Sequence, residues 1–319
     1  MKRLILALAA SVAFAGMAVA QTYPTKPITM IVPFAAGGPT DIVARLVSEN
    51  MSKTLGHQIV VENVAGAGGT TGITRASQAK PDGYTIMMGH MGTHGAAPAL
   101  YANLKYDPVK DFEPVGMAAG TPILIVTKKA FPANDMKEFV AYLKANADKV
   151  NQAHAGVGAV SHMTCILLNS QIGVKPTAVP YGGTGPALND LVSGQVDYMC
   201  DQIVNLVSQV KAGSIKALAI ASAERSPALP DVPTTKEAGL PEYQVAAWNA
   251  VFAPKGTPKD VVAKLTSALN TALDDAGTRK RLEDLGGVLP TKDERGGEWL
   301  GKFVASEVAR WNPVLKASK

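Results

Sequence analysis

Cysteine, aromatic rings and clustered charge are what this chain has least of. Its 319 residues hold two cysteines, Cys165 and Cys200, and no Cys-x-x-Cys pair, which removes the usual thiolate frame of a structural metal site. The one close histidine pair, His90 and His94, sits among Gly92 and Gly95, which argue for a loop, and no third ligand is in reach; neither a metal nor a cofactor is expected. Aromatic residues are only 6% of the chain, and no basic run interleaves with them, which argues against a nucleic-acid partner. No segment after the first twenty residues approaches the length and apolarity of a membrane span.

That first segment has a pattern of its own. Lys2 and Arg3 precede an apolar stretch that runs to Val19, and Ala18-Val19-Ala20 lies before the polar Gln21, the layout of a cleavable export signal ending at Ala20. The remaining residues, 21–319, suit two domains better than one core. Without Lys2 and Arg3 the balance is 29 basic to 26 acidic residues, weakly favourable to anions. In an oxidising compartment Cys165 and Cys200 can pair or remain two buried thiols; spacing leaves both open.

From residue 28 onward, strand-like and helix-like segments alternate, the signature of an α/β fold with largely parallel sheets. Strands are predicted over 28–33, 57–62, 84–88, 152–155, 177–180, 196–200, 215–221 and 245–253. Helices are predicted over 40–54, 160–170, 185–193, 203–212, 258–276, 278–286 and 296–311. The change of pattern at Thr121-Pro122 marks a first crossing between domains, and the proline-rich stretch 226–241 leads into a return. The expected domains are 21–122 with 242–319, and 123–241, with a hinge near 121–125 and 222–250.

Three apolar runs reach a glycine-rich turn and open directly into a helix: PFAAGGPTDIVARLVSE from Pro33, HAGVGAVSHMTCILLN from His154 and VPYGGTGPALNDLVSG from Val179. Each turn frees backbone N–H groups at a helix start, a seat for an anion. In the first turn Phe34, Ala35, Gly37 and Gly38 let backbone approach a ligand, Thr40 starts the helix, and Asp41 either complements the dipole or meets a ligand donor group. Ala65 to Gly72 follows a strand but is no clean G-x-G-x-x-G and reads as a structural turn. Gly89 to Gly95 reads as a binding loop with Met91 and Thr93. In the second domain, Ala159, Ser161 and His162 open one helix; Tyr181, Gly183 and Thr184 open another; Asp201 ends a strand on the same edge. A hydrolase built on Ser161 and His162 is an alternative, although no G-x-S-x-G elbow is present. Gly38→Val and Gly183→Val are each expected to abolish binding and leave the fold intact.

Taken together, YPTKPITMIVPFAAGGPTDIVAR, ENVAGAGGTTG, PDGYTIMMG, VPYGGTGPALNDLVSGQVDY and AWNAVFAPKGTP resemble the Bug family, the TctC-like extracytoplasmic receptors of tripartite tricarboxylate transporters. The resemblance spans the mature chain. It implies a two-lobed periplasmic-binding-protein fold of type II-like plan, monomeric, with the ligand in the interdomain cleft. A small organic carboxylate would be held there and passed to membrane transporter subunits, or its occupancy reported to a membrane signalling partner. Met91, Ala159 and Val160 stand where relatives carry small polar residues, which leans the ligand toward a bulkier carboxylate.

Overall fold

Apolar strands alternating with amphipathic helices give a mixed sheet with helices on both faces, in a computed structural model that describes residues 23–317. The expected export signal lies outside the described residues. The order is β1 (Ile28–Val32), α1 (Pro39–Leu55), β2 (Ile59–Asn63), α2 (Thr70–Ser77) and β3 (Thr85–His90), then a π-helical turn (Met91–Ala96) into the short α3 (Ala97–Leu100). Next come β4 (Phe112–Lys128), α4 (Met136–Asn146), β5 (Asn151–His154), α5 (Val160–Ile172), β6 (Thr177–Pro180), α6 (Thr184–Ser193), β7 (Tyr198–Gln202), α7 (Val207–Lys211) and β8 (Ile215–Ala221). The chain ends with β9 (Ala246–Pro254), α8 (Lys259–Asp274), α9 (Ala276–Asp284) and α10 (Gly297–Ala317).

Strand side chains alternate between two apolar clusters, one on each face of the sheet. Ile28, Met30 and Val32 enter one cluster and Ile31 the other; Ile86 and Met88 part from Met87, and Leu124 and Val126 from Ile123 and Ile125, in the same way. Both clusters continue across the two lobes. The strand order is β2-β1-β3-β9-β4 in the first lobe and β4-β7-β5-β6 in the second, with β8 also on β4.

The pairing is less parallel than the alternation predicts. β2, β1 and β3 are parallel, as are β7, β5 and β6, but β9 runs antiparallel to β3 and β4, and β4 runs antiparallel to β7 and β8. The reason is that β9, returning from the second lobe, inserts between β3 and β4, while β4 runs on as one continuous strand shared by both lobes. Residues 112–122 pair with β9 and residues 123–128 with β7 and β8, so the chain passes Thr121-Pro122 without a break. Register shifts near Pro114 and Met117 absorb the irregularity. The helix predicted over 203–212 is instead a 3-10 turn (Ile203–Asn205) followed by α7.

Candidate functional site

Three helix N-termini meet at one buried cavity between the lobes. It is lined by Phe34, Gly38, Pro39, Thr40, His90, Ala155, Ala159, Val160, Ser161, Thr184, Asp201 and Gln202. The residues that precede α1, α5 and α6 are Gly38, Ala159 and Gly183, and none supplies a side-chain cap. Pro39 has no N–H and the His162 N–H goes to the Ala159 carbonyl, but no side chain among the described residues takes the other first-turn N–H groups of the three helices. Their dipoles add at one point, which favours negative charge there. The free volume is about 10 Å³, about the room one water needs.

The side chains around this point are mostly poised as donors. The Ser161 hydroxyl accepts the Ala155 N–H at 3.0 Å, and its own hydrogen is free to donate. His90 Nδ1 accepts the N–H groups of Gly92 at 2.8 Å and Thr93 at 3.2 Å, which assigns the ring proton to Nε2. Burial lowers its pKa to about 4, so the ring stays neutral, and it stacks on Phe34 with centroids 4.8 Å apart. Gly69, at φ 94°, makes that stack possible: a Cβ there would lie 2.8 Å from the Phe34 ring and 2.8 Å from Thr93. Ala65 to Gly72 is therefore a packing turn that positions Phe34.

Asp201 is the one acid among the described residues that line the cavity. Burial pushes its pKa up to about 6, against the hydrogen bonds from the Thr184 hydroxyl at 2.6 Å and the Gln202 N–H at 2.7 Å. Its oxygens can accept from a hydroxyl or ammonium on a ligand.

Several residues expected at the site are placed elsewhere. Asp41 faces away from the cavity: its carboxylate takes the Gly37 N–H at 3.0 Å, the Arg45 guanidinium and the Asn63 amide at 2.9 Å. Burial raises its pKa, and these partners outweigh that and hold it low. Gly37 serves that turn. Met91 and Thr93 are fully buried because the expected loop winds into a π-helical turn, with Met91 in the apolar core and the Thr93 hydroxyl on the His90 backbone. The lean toward a bulkier ligand loses its Met91 wall by this placement. His94 stacks on Phe252 in the core, with centroids 4.1 Å apart.

His162 and Tyr181 stand at the periphery. His162 Nδ1 accepts the Gly158 N–H at 3.3 Å, and its ring packs on His154 rather than bonding Ser161, so no nucleophile-and-base pair forms. Tyr181 donates to Asp190 at 2.6 Å and lies at the mouth of the cleft beside Gly66 to Gly68 and Tyr101. Ala35 and Gly183 meet each other across the cleft, where a Cβ on Gly183 would lie 2.9 Å from the Ala35 nitrogen. Gln202 and Ala155 line the cavity without a local sequence signal. Gln202 is a buried strand-end polar residue, held by partners 47 and 81 positions away. Cys165 and Cys200 form a disulfide between α5 and β7.

A larger open groove, about 580 Å³, runs beside β4, β9 and α10 and is lined by Trp248, Trp299 and Phe303. Its buried acid, Glu307, already accepts the indole N–H groups of Trp248 and Trp311. Among the described residues no group of histidines, cysteines and acids could hold a metal ion.

The chain is similar to known proteins over nearly its whole described length. MatC (Rpa3494) from Rhodopseudomonas palustris, solved with bound malate, is 52% identical, with a TM-score of 0.89 over 92% of this chain and 100% of that one. The periplasmic binding protein BugD is 45% identical, with a TM-score of 0.90 over 93% and 98% of the two chains. Rpa4515 from R. palustris, solved with adipate, is 32% identical, with a TM-score of 0.88 over 93% and 98%. These relatives bind solutes and are not enzymes. The family model for the tripartite tricarboxylate transporter family receptor, TctC, matches residues 43–319, and the chain belongs to that family of periplasmic solute-binding proteins.

Proposed function

We propose that this protein is an exported receptor that captures a small dicarboxylate between its lobes and delivers it to the membrane subunits of a tripartite tricarboxylate-type transporter. The observation that carries the reading is the convergence of three helix N-termini without side-chain caps on one buried cavity. Malate in MatC and adipate in Rpa4515 support a dicarboxylate of this size.

In this reading, residues 21–122 with 242–319 form one lobe, residues 123–241 form the other, and they turn about 121–125 and 222–250. A ligand larger than a water enters as the lobes part. Its carboxylate takes first-turn N–H groups from both sides, helped by Ser161, Thr40 and the His90 Nε2–H, while Asp201 receives a hydroxyl hydrogen. Only the affinity difference between closed and open forms drives closure. The protein acts as a monomer, and the export signal ends at Ala20.

A thermal-shift screen of residues 21–319 against mono-, di- and tricarboxylates tests the reading. Malate at about a hundred times its Kd should stabilise the protein by about 2.7 kcal/mol and be recovered unchanged. A protein indifferent to every carboxylate in the series would contradict it.

A further inference from the structure

The cavity's least conspicuous lining residue is Gln202, the last residue of β7, only 2% exposed. Its side-chain Oε1 is fully engaged. It accepts the Thr121 hydroxyl at 2.6 Å and the Asn249 amide at 2.9 Å, and both of those residues are completely buried. Its Nε2 has no partner among the described residues, yet it is not sealed among protein atoms as the unpaired Asn249 Oδ1 is. With Oε1 tied to the strands behind it, the amide presents its N–H₂ end to the cavity that Gln202 lines. Turning both amides over would bury the Asn249 nitrogen with no acceptor, and an orphaned buried donor is rarer and more costly than an under-used carbonyl.

Thr121 and Asn249 are not arbitrary partners. Thr121 lies on β4 at the junction of its two halves, and Asn249 lies on β9, opposite His90 of β3 in register. Gln202 lies opposite Ile123, in the second half of β4. The three side chains therefore join the second-lobe strand that ends at the cavity to the two strands by which the chain passes between lobes.

We infer that Gln202 reads the bound carboxylate directly through its Nε2–H, and that Thr121 and Asn249 are positioning residues that fix which end of its amide the ligand meets. This rests on the carboxylate-receptor reading. A hydrogen bond to a charged oxygen is worth about 10- to 100-fold in affinity. Because the ligand then touches a group bonded to both crossing strands, the same contact couples occupancy to the relation between the lobes.

The experiment is a double-mutant cycle by titration calorimetry with L-malate and adipate as probes. It uses wild type, Gln202→Met, Asn249→Ala and the double variant, with circular dichroism to establish folding. Gln202→Met keeps the side-chain volume and removes the donor, and should raise Kd 10-fold or more. Asn249→Ala should raise it about 3- to 10-fold, and should add little further loss once Gln202 is Met, an outcome that a merely structural role for Asn249 would not give. If Gln202→Met fails to fold, Thr121→Val and Asn249→Ala carry the test, since each should weaken binding in the native Gln202 background. Gln202→Met binding within 2-fold of wild type, or strictly additive losses, overturns the inference. A wild-type protein that binds neither probe nor any other carboxylate sinks the receptor reading itself, and that result is visible before any variant is made.

Discussion

Thr184 donates its hydroxyl hydrogen to Asp201 at 2.6 Å, tying the first turn of α6 to the end of β7 at the wall of the cavity. Despite this bond, burial holds the Asp201 pKa up at about 6. A carboxyl that binds its proton more tightly folded than unfolded adds most to stability below about pH 4, and that contribution is lost as pH rises through about 6. Asp201→Asn should therefore make the loss of stability on acidification from pH 6 to 4 steeper than in wild type. Urea denaturation across that range reads the slope, and an unchanged slope would show that Asp201 titrates normally.

The buried histidines work in the opposite sense. Burial lowers His90 to about 4 and His94 to about 3, with His90 adding to the shift at His94. Groups kept neutral when folded contribute stability that is complete above about pH 6.5 and is lost as pH falls, up to about 1.4 kcal/mol per pH unit for each. His94→Gln should flatten the acid limb of the stability profile while leaving malate affinity within 2-fold, because His94 packs on Phe252 away from the cavity.

The two glycines at the cleft are not equivalent, although the sequence treats Gly38 and Gly183 alike. A Cβ on Gly38 would meet its nearest neighbours at 3.6 and 3.7 Å, ordinary contact, whereas one on Gly183 would meet Ala35 of the opposite lobe at 2.9 Å. Gly183 is extended, at φ 170°, so alanine costs nothing there in the open protein. Gly183→Ala should leave the ligand-free Tm unchanged and weaken carboxylate binding at least 10-fold by blocking closure. Gly38→Ala should bind nearly as wild type. Calorimetry on the pair separates a closure defect from a folding defect.

Tyr101 supplies one of the contacts that cross the cleft mouth. Its hydroxyl lies within hydrogen-bond distance of the carbonyls of Ala67 in one lobe and Val157 in the other, and donates to one at a time. Removing it in Tyr101→Phe should speed ligand release about 2- to 10-fold with association little changed, since the bond exists only when the lobes meet. Stopped-flow displacement measures both rates.

Much of this was legible because glycine-rich turns after apolar runs leave a local mark: α1, α5 and α6 each begin within one residue of the expected start. What escaped is non-local. The first half of β4 carries Pro114, Gly116 and Gly120, which mask a strand that only its pairing with β9 creates. Asp41 could have served ligand or fold, and the choice is made by Asn63, 22 positions away. The residues around Met91 form a π-helical turn because Tyr106 accommodates the Thr93 carbonyl and His94 packs on Phe252, contacts that no periodicity announces. Gln202 shows the same limit, since its orientation is set by two strands distant in sequence.

The Cys165–Cys200 disulfide joins α5 to β7, and the neighbouring Thr164 hydroxyl donates to the Cys200 carbonyl at 2.7 Å, so the helix is pinned to the strand twice. α5 is the helix whose first turn brings Val160 and Ser161 to the cavity. Closing a loop over a sequence separation of 35 restricts the unfolded chain by roughly 3–4 kcal/mol in the chain-entropy model. The double variant Cys165→Ala/Cys200→Ala should melt roughly 5–10 °C lower than wild type in scanning calorimetry. Because both cysteines are completely buried and Thr164 still anchors the helix, malate affinity at 20 °C should change less than about 3-fold. A large affinity loss with a small change in Tm would instead mean that the bridge acts by fixing the Ser161 end of α5, and that its main contribution is to the geometry of the site.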